Sequence, residues 1–243
     1  MQTYHLSATT AITERVMSET VLIVGAGNGL SASLGRKFYE QGMSIHLVAR
    51  NIEKLNLIAS EMNARLYQCD ASKIDDVANL FSDLDRKIGT PDLVIYNPSL
   101  RVPGSISDLD PQAVLESFKV TCFGAFLIAQ QAASRMQKRG SGSIFFTGAS
   151  AGVKAFPNSS IFAMGKFGLR ALAQSLAREL HPQNIHIGHF VIDGGITSNS
   201  TANRAEDRTL DPDEIAQTYL DFFRQHRSAW AWEIELRPWV ETF

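Results

Sequence analysis

The chain has little that would mark a nucleic-acid-binding, membrane or disulfide-stabilised protein. Its 243 residues carry a formal charge of only −2, which indicates no basic surface for nucleic acid. No apolar run approaches the ~20 residues that a membrane helix needs. The two cysteines, Cys69 and Cys122, lie far apart in apolar segments, as is typical of a reduced cytoplasmic protein with buried thiols. We therefore expect neither nucleic acid nor a membrane as a partner.

Metal motifs, internal repeats and flexible linkers are also missing. The six histidines form no H-E-x-x-H motif and no Cys/His cluster, so no metal site is predicted. We expect the histidines to be polar positions in or near the surface. His186 and His189 are three apart in a predicted strand, which directs their side chains to opposite faces.

Without a linker, we expect a single domain over residues 20–243, preceded by an arm or leader over residues 1–19. That first segment has no apolar region of the kind found in a secretory signal. Met17 is an alternative start, because a predicted strand follows almost directly.

A glycine-rich turn joins the first predicted strand to a helix that is expected to continue to about Gln41. The turn and its flanks read Val21-Leu-Ile-Val-Gly25-Ala-Gly27-Asn28-Gly29-Leu30-Ser31. Glycines let the backbone approach a ligand closely, and a helix start presents N–H groups that favour a phosphate. The pattern predicts a dinucleotide site at Gly25, Gly27, Asn28, Gly29 and Leu30. A tight turn without a ligand is the alternative, because Leu30 breaks the common G-x-G-x-x-G spacing.

Strands and helices alternate along most of the chain. The predicted strands are 21–24, 44–49, 66–70, 92–97, 142–147 and 185–192. The predicted helices that separate the last five are 51–62, 72–88 with Ser72 as N-cap, 111–138 and 160–180. This alternation predicts a parallel sheet with right-handed crossovers. Ligands of such sheets bind at the carboxyl ends of the strands, where the sequence has Gly25, Arg50, Asp70, Asn97, Ala149 and Gly194.

The end of the second strand bears on the choice of cofactor. An acidic residue at this place binds the ribose 2′-OH in proteins that use NAD. Here Ala49 occupies the place and Arg50 follows. A cation suits a 2′-phosphate, so we predict NADP (NADPH) as the cofactor. A surface arginine at the start of a helix is the alternative interpretation.

Several motifs together resemble those of one family over nearly all of residues 20–240. They are the turn Gly25-Ala-Gly-Asn-Gly29-Leu-Ser31, Asp70, the stretch Tyr96-Asn97-Pro98-Ser99 and the stretch Asp193-Gly194-Gly195-Ile196-Thr197-Ser198. In this order they resemble the cofactor turn, adenine-side aspartate, N-N-A-G and P-G-x-V-x-T motifs of the short-chain dehydrogenase/reductase family. The two last motifs match only in part.

The resemblance implies a doubly wound, Rossmann-type α/β domain with a seven-stranded parallel sheet of order 3-2-1-4-5-6-7. The seventh strand would lie within residues 229–238, and residues 197–210 would form a substrate lid. The resemblance further implies cofactor contacts from Asp70, Asn97, Gly194 and Ile196.

The catalytic positions depart from the family pattern, which combines Asn, Ser, Tyr and Lys. Phe162-Ala-Met-Gly-Lys166 keeps the spacing of the Y-x-x-x-K motif without the hydroxyl. Ala149 stands at the serine position and Thr121 at the asparagine position. By resemblance, Lys166 still reaches the cofactor ribose. Phe162 is otherwise interpreted as an apolar residue that lines a pocket.

Another group must therefore donate the proton that a reduced carbonyl requires. The candidates are Ser150, Tyr96 and a water held by Thr121 or Lys166. Ser150 can equally be a loop or capping serine, and Tyr96 a packing residue. The enoyl-reductase branch of the family matches the Gly25-x5-Ser31 spacing, but its tyrosine position holds Ser159.

Two functions follow as hypotheses. The first is an NADP-dependent oxidoreductase that transfers hydride between the nicotinamide and a small carbonyl or alcohol substrate at an atypical site. The second is an NADP-binding protein with little or no turnover, acting as a sensor or partner subunit. The resemblance also implies a homodimer or homotetramer. Aromatic side chains that could contribute to its interfaces are Phe118, Phe123, Phe126, Phe167, Trp230, Trp232 and Trp239.

Overall fold

A parallel sheet of seven strands forms the centre of the protein. The computed structural model describes residues 18–197 and 208–241. Its strands are β1 (Thr20–Val24), β2 (Ser44–Ala49), β3 (Arg65–Gln68), β4 (Leu93–Tyr96), β5 (Gly142–Thr147), β6 (Ile185–Ile192), β7 (Gly195–Ile196), β8 (Thr209–Leu210) and β9 (Glu233–Leu236). The large sheet has the order β3-β2-β1-β4-β5-β6-β9, and its neighbouring strands are all parallel. This confirms the predicted fold class and strand order.

Helices cover both faces of this sheet. They are α1 (Leu30–Glu40), α2 (Asn56–Glu61), α3 (Ile74–Lys87), α4 (Pro111–Phe118), α5 (Gly124–Arg139), α6 (Ser160–Leu180) and α7 (Pro212–Phe223). Successive residues of β1 face opposite ways, so Leu22 joins an apolar core with α3, α5 and α6, while Ile23 joins one with α1, α2 and α7. Burial on both faces is why the strands are almost continuous apolar runs.

The predicted helix 111–138 contains an irregular turn. A π-helical turn, Lys119–Phe123, lies between α4 and α5, and such turns are frequent at functional sites. The continuous helix of 29 residues, Pro111–Arg139, is long and apolar enough to pass a length and composition test for a membrane span. Its α5 portion nevertheless packs on the sheet through buried residues such as Ala125 and Ile128.

The helix after β3 begins later than predicted. It starts at Ile74, and its N-cap position is Lys73, which makes no side-chain capping bond. Ser72 instead donates its hydroxyl to Asp70. The expected N-cap is therefore wrong, because a nearby carboxylate accepts that hydroxyl.

Helix α7 was not predicted, although it completes one face of the core. Its N-cap Asp211 accepts the amide of Asp213, and its residues Tyr219 and Phe222 are buried. Before it, β7 pairs with β8, which joins the two ends of the predicted lid. Residues 198–207 of that lid, and residues 1–17 of the predicted arm, lie outside the described residues.

Three histidines are buried, contrary to the expectation of surface positions. His46, His186 and His189 are 0–1% exposed. Burial lowers the pKa of each to about 4, which keeps the imidazoles neutral. As neutral rings they pack like aromatic residues, and His186 stacks between Phe222 and Trp230.

Candidate cofactor and active site

A cleft of about 420 Å³ opens where β1, β2, β3 and β4 end. Five residues predicted for the site line it, namely Gly25, Arg50, Asp70, Tyr96 and Asn97. They come from four different strand ends, which the parallel sheet brings to one edge. The predicted residues Gly194 and Ile196 follow β6 and do not line this cleft.

The turn after β1 is held by neighbouring loops. Gly25 has a φ of +80°, and a Cβ atom there would lie 2.7 Å from the backbone of Pro98. The side-chain amide of Asn97 donates to the Ser31 hydroxyl at 2.8 Å, and that hydroxyl donates to the Gly25 carbonyl at 3.2 Å. Ser31, the residue in the last place of the glycine motif, thus fastens the turn to the loop after β4.

The remaining glycines of the turn have free space around them. The amides of Gly25 and Ala26 donate to the Val48 carbonyl, at 3.0 and 2.9 Å, and are not available to a ligand. A Cβ atom at Gly27 or Gly29 would meet nothing within 4 Å. The structure therefore leaves room for a ligand at this part of the turn, next to the start of α1.

Asn28 and Leu30, also predicted for the cofactor, differ in exposure. Asn28 is exposed, whereas the Leu30 side chain is 6% exposed and packs in the core. Only the backbone of Leu30 can serve a ligand. Its amide begins α1, and within the described part of the chain it meets no backbone acceptor.

Asp70 and Arg50 give the cleft a carboxylate and a cation. The amide and hydroxyl of Ser72 donate to Asp70 Oδ1 at 3.1 and 2.7 Å. Burial raises the pKa of Asp70, but these hydrogen bonds and the Arg50 charge outweigh it and lower the pKa. Oδ2 remains open to a donor, since it makes no hydrogen bond among the described residues. Together with the exposed Arg50, these groups fit the adenine amino group and a phosphate of a dinucleotide.

Lys166 is buried beside the position of the missing tyrosine. Its side chain is 2% exposed, and Nζ donates to the Thr147 carbonyl at 2.7 Å. Nζ also lies 5.7 Å from the centroid of the Phe162 ring. Burial lowers the pKa of Lys166 to about 8. The residue is therefore a cation that can exchange a proton near neutral pH.

The two other candidate acids occupy different environments. Tyr96 is fully buried, its hydroxyl donates to the Val120 carbonyl at 2.5 Å, and burial raises its pKa. This geometry argues against Tyr96 as a proton donor. Ser150 is half-buried in a 3₁₀ turn directly after Ala149, and within the described residues its hydroxyl makes no hydrogen bond.

Sequence reasoning missed one residue beside the catalytic positions. The guanidinium carbon of Arg101 lies 5.7 Å from the centroid of the Phe162 ring. Arg101 belongs to the loop that follows β4, at the same sheet edge as the cleft. A charged residue in the loop after β4 could have indicated a site residue from the sequence. Its place beside Phe162, however, follows only from the fold.

Comparisons with known proteins agree with this architecture. A family model described as short chain dehydrogenase matches residues 19–209. An uncharacterized oxidoreductase of Staphylococcus aureus (strain MRSA252) is 23% identical over 235 residues, which cover 94% of this chain and 99% of the relative.

Solved structures are similar over almost the whole chain. The crystal structure of a short-chain dehydrogenase from Rhodopseudomonas palustris is 31% identical with a TM-score of 0.80, covering 91% of this chain and 99% of that one. An alcohol dehydrogenase from the archaeon Thermococcus sibiricus, complexed with 5-hydroxy-NADP, has a TM-score of 0.83 at 20% identity, covering 93% and 98%. The latter likeness concerns the fold alone.

Proposed function

The chain belongs to the short-chain dehydrogenase/reductase family, and from this we propose that it is an NADP-dependent oxidoreductase acting on a small carbonyl or alcohol. The observation that carries the proposal is the cleft at the strand ends, with the glycine turn, Arg50, Asp70 and Asn97 around it. The 5-hydroxy-NADP complex of the Thermococcus sibiricus enzyme supports a nicotinamide nucleotide as the ligand. Arg50, exposed at the cleft, supports NADP over NAD because a guanidinium binds a phosphate well.

The chain's own part in the reaction is to orient the carbonyl and to supply a proton. When bound, NADPH supplies a hydride to the carbonyl carbon. The oxygen then carries negative charge, which a donor must stabilise and an acid must protonate. Phe162 and Ala149 have no group for either task.

We assign the proton to Lys166, with Ser150 as the second candidate. With a pKa of about 8, the Lys166 ammonium is mostly protonated at neutral pH and can still release its proton. Its bond to the Thr147 carbonyl holds Nζ beside Phe162. A rate below that of ordinary family members follows, because Ala149 and Phe162 have no hydroxyl to stabilise the oxygen.

The alternative function is an NADP-binding protein with little turnover, acting as a sensor or partner subunit. The specific observation in its favour is that Lys166 already donates to the backbone and is 2% exposed. An amine that is already hydrogen-bonded and shielded from solvent in this way would transfer its proton slowly.

Assembly and location complete the proposal. Apolar side chains on α4, α5 and α6 are 38–55% exposed, namely Leu115, Phe118, Phe126, Met164 and Phe167. Such surface supports a homodimer or homotetramer. Cys69 and Cys122 are both free thiols, which supports a reducing, cytoplasmic location.

Restoring the missing hydroxyls tests the function. NADPH binding is measured by titration, and NADPH consumption is measured against a panel of ketones and aldehydes. We expect the unmodified protein to bind NADPH and to turn over well below the ~10 s⁻¹ that is typical of enzymes. The double variant Phe162→Tyr with Ala149→Ser is expected to react about 10²- to 10³-fold faster, since a positioned acid and an oxyanion donor each have effects of this size and do not simply multiply.

The matched control is Phe167→Tyr, which adds the same hydroxyl on the same helix at a side chain that is 42% exposed. It should leave the rate unchanged. NADPH binding without consumption in any form would favour the non-catalytic alternative. An ordinary rate in the unmodified protein, slowed by the double change, would contradict the assigned deficiency.

A further inference from the structure

Arg101 and Lys166 bring two cations to one aromatic ring. Each lies 5.7 Å from the centroid of Phe162, measured from the guanidinium carbon and from Nζ respectively. Lys166 is buried, whereas Arg101 is exposed. Of these two cations beside Phe162, Arg101 is therefore the one that solvent can reach.

The backbone next to Arg101 is fixed by buried side chains. The amide of Leu100 donates to Thr121 Oγ1 at 3.2 Å, and the Leu100 carbonyl accepts the Ser117 hydroxyl at 2.6 Å. Both Ser117 and Thr121 are 0% exposed. Thr121 stands at one of the catalytic positions of the family. The position of Arg101 is thus tied directly to the reaction site.

The charge of Arg101 is not paired with a carboxylate in the part of the chain that the structure describes. Among the described residues, no carboxylate oxygen lies within 4.0 Å of its guanidinium, although other arginines, such as Arg135 and Arg170, are paired with carboxylates. Lys166 lies at the same distance from this ring, so two cations give the surroundings of Phe162 positive charge, and no carboxylate of the described residues lies within 4.0 Å of either. An anion bound there would offset it.

We propose that Arg101 binds a carboxylate of the substrate, so that the protein acts on oxo acids or the corresponding hydroxy acids. A guanidinium presents two parallel N–H donors that match the two oxygens of a carboxylate. The Phe162 ring lies under the guanidinium and limits its movement, which orients these donors. This inference rests on the proposed oxidoreductase function for the reaction, but not for binding.

The test compares acids with their neutral esters. Calorimetric titration of the NADP-loaded protein uses pyruvate, acetoacetate and levulinate, each beside its methyl ester, and NADPH consumption is followed with the same compounds. At least one acid should bind at least ~10-fold more tightly than its ester. Arg101→Gln should weaken binding of that acid by about 10- to 100-fold, as expected for a charge-assisted hydrogen bond, and leave the ester unchanged.

Two variants serve as controls. Arg101→Lys keeps the positive charge but not the two parallel N–H donors, and should retain part of the preference for the acid over its ester. Arg178→Gln removes an exposed arginine that lies in α6, ~24 Å along the helix from Phe162 at 1.5 Å per residue. It should leave the binding of both acids and esters unchanged.

The outcomes separate this inference from the proposed function. Equal binding of acids and esters, binding of neither, or an equal loss in Arg178→Gln would overturn the role of Arg101. Tighter binding of dihydroxyacetone phosphate than of every oxo acid would overturn the assignment to a carboxylate. Acid binding through Arg101 without turnover would leave the inference standing while the oxidoreductase function fails. Turnover of neutral ketones without any preference for acids would support the oxidoreductase function and overturn the role of Arg101.

Discussion

Lys166 carries a positive charge into the interior, where the described residues place no carboxylate within 4.0 Å of Nζ. Within the described ranges, Nζ has one hydrogen-bond partner, the Thr147 carbonyl. Burial alone lowers its pKa to about 8. A residue that loses so much solvation is costly to keep charged, which is the physical reason for the lowered pKa.

Arg50 is expected to decide which nicotinamide nucleotide binds. Its guanidinium lies exposed at the cleft and can make a charge-assisted contact to a 2′-phosphate, worth ~1.5–3 kcal/mol. Arg50→Ala should weaken NADPH binding by about 10- to 100-fold and leave NADH binding almost unchanged. Fluorescence titration with both nucleotides measures this.

Arg50→Lys is the matched variant, because it keeps the cation and should lose less. Equal losses of NADPH and NADH affinity in Arg50→Ala would remove the argument for NADP.

Among the elements, the start of α5 lies unusually close to its neighbours. A Cβ atom on Gly124 would lie 2.7 Å from the Ala71 carbonyl oxygen and 2.5 Å from the Tyr96 hydroxyl oxygen. The π turn before Gly124 is where the Val120 carbonyl accepts that same hydroxyl. Glycine thus allows the long helix to approach the loop after β3, which lines the cleft.

Gly124→Ala should therefore destabilise the protein despite alanine's better helix propensity. Overpacking at a rigid backbone contact costs about 1–3 kcal/mol, against a gain of up to ~1 kcal/mol from propensity. Urea unfolding without nucleotide measures the difference. Gly27→Ala is the control, because a Cβ atom there meets nothing within 4 Å. An alanine at position 124 that is as stable as glycine would contradict the close packing.

At the scale of the whole molecule, stability should fall as the pH drops below about 6.5. Burial lowers the pKa of His46, His186 and His189 to about 4 in the folded protein, from 6.5. Between these two values the unfolded chain binds more protons than the folded one, so the free energy of unfolding rises with pH in this window. Each histidine contributes up to ~1.4 kcal/mol per pH unit.

Urea unfolding at several pH values between about 4.5 and 7.5, a range that includes the ordinary histidine pKa, checks this prediction. His186→Phe keeps an aromatic ring between Phe222 and Trp230 but removes one titrating group. It should reduce the pH dependence by about a third, since one of three such histidines is lost. A wild-type stability that is flat from pH 7 to pH 5 would show that these rings are not buried as neutral groups.

The sequence by itself determined the fold class through its alternating strands and helices, its resemblance to the family implied the strand order, and several residues that line the cleft could be predicted. Strands such as β5 and β6 are recognised because their apolar runs are local, and their bounds were predicted correctly. Gly25, Arg50, Asp70 and Asn97 could be placed together because the ends of parallel strands meet at one edge. The absence of a hydroxyl at Ala149 and Phe162 can likewise be read directly from the sequence.

Tertiary structure decided how the chemical groups are used. The hydroxyl of Tyr96 donates to the Val120 carbonyl, and Nζ of Lys166 donates to the Thr147 carbonyl. Arg101 reaches Phe162 across more than sixty positions of the chain. These pairings depend on which helix packs on which strand, and so do the burial of the histidines and the docking of α7. No local pattern encodes them, because each partner lies in a different element and is brought near only when the sheet and its helices assemble.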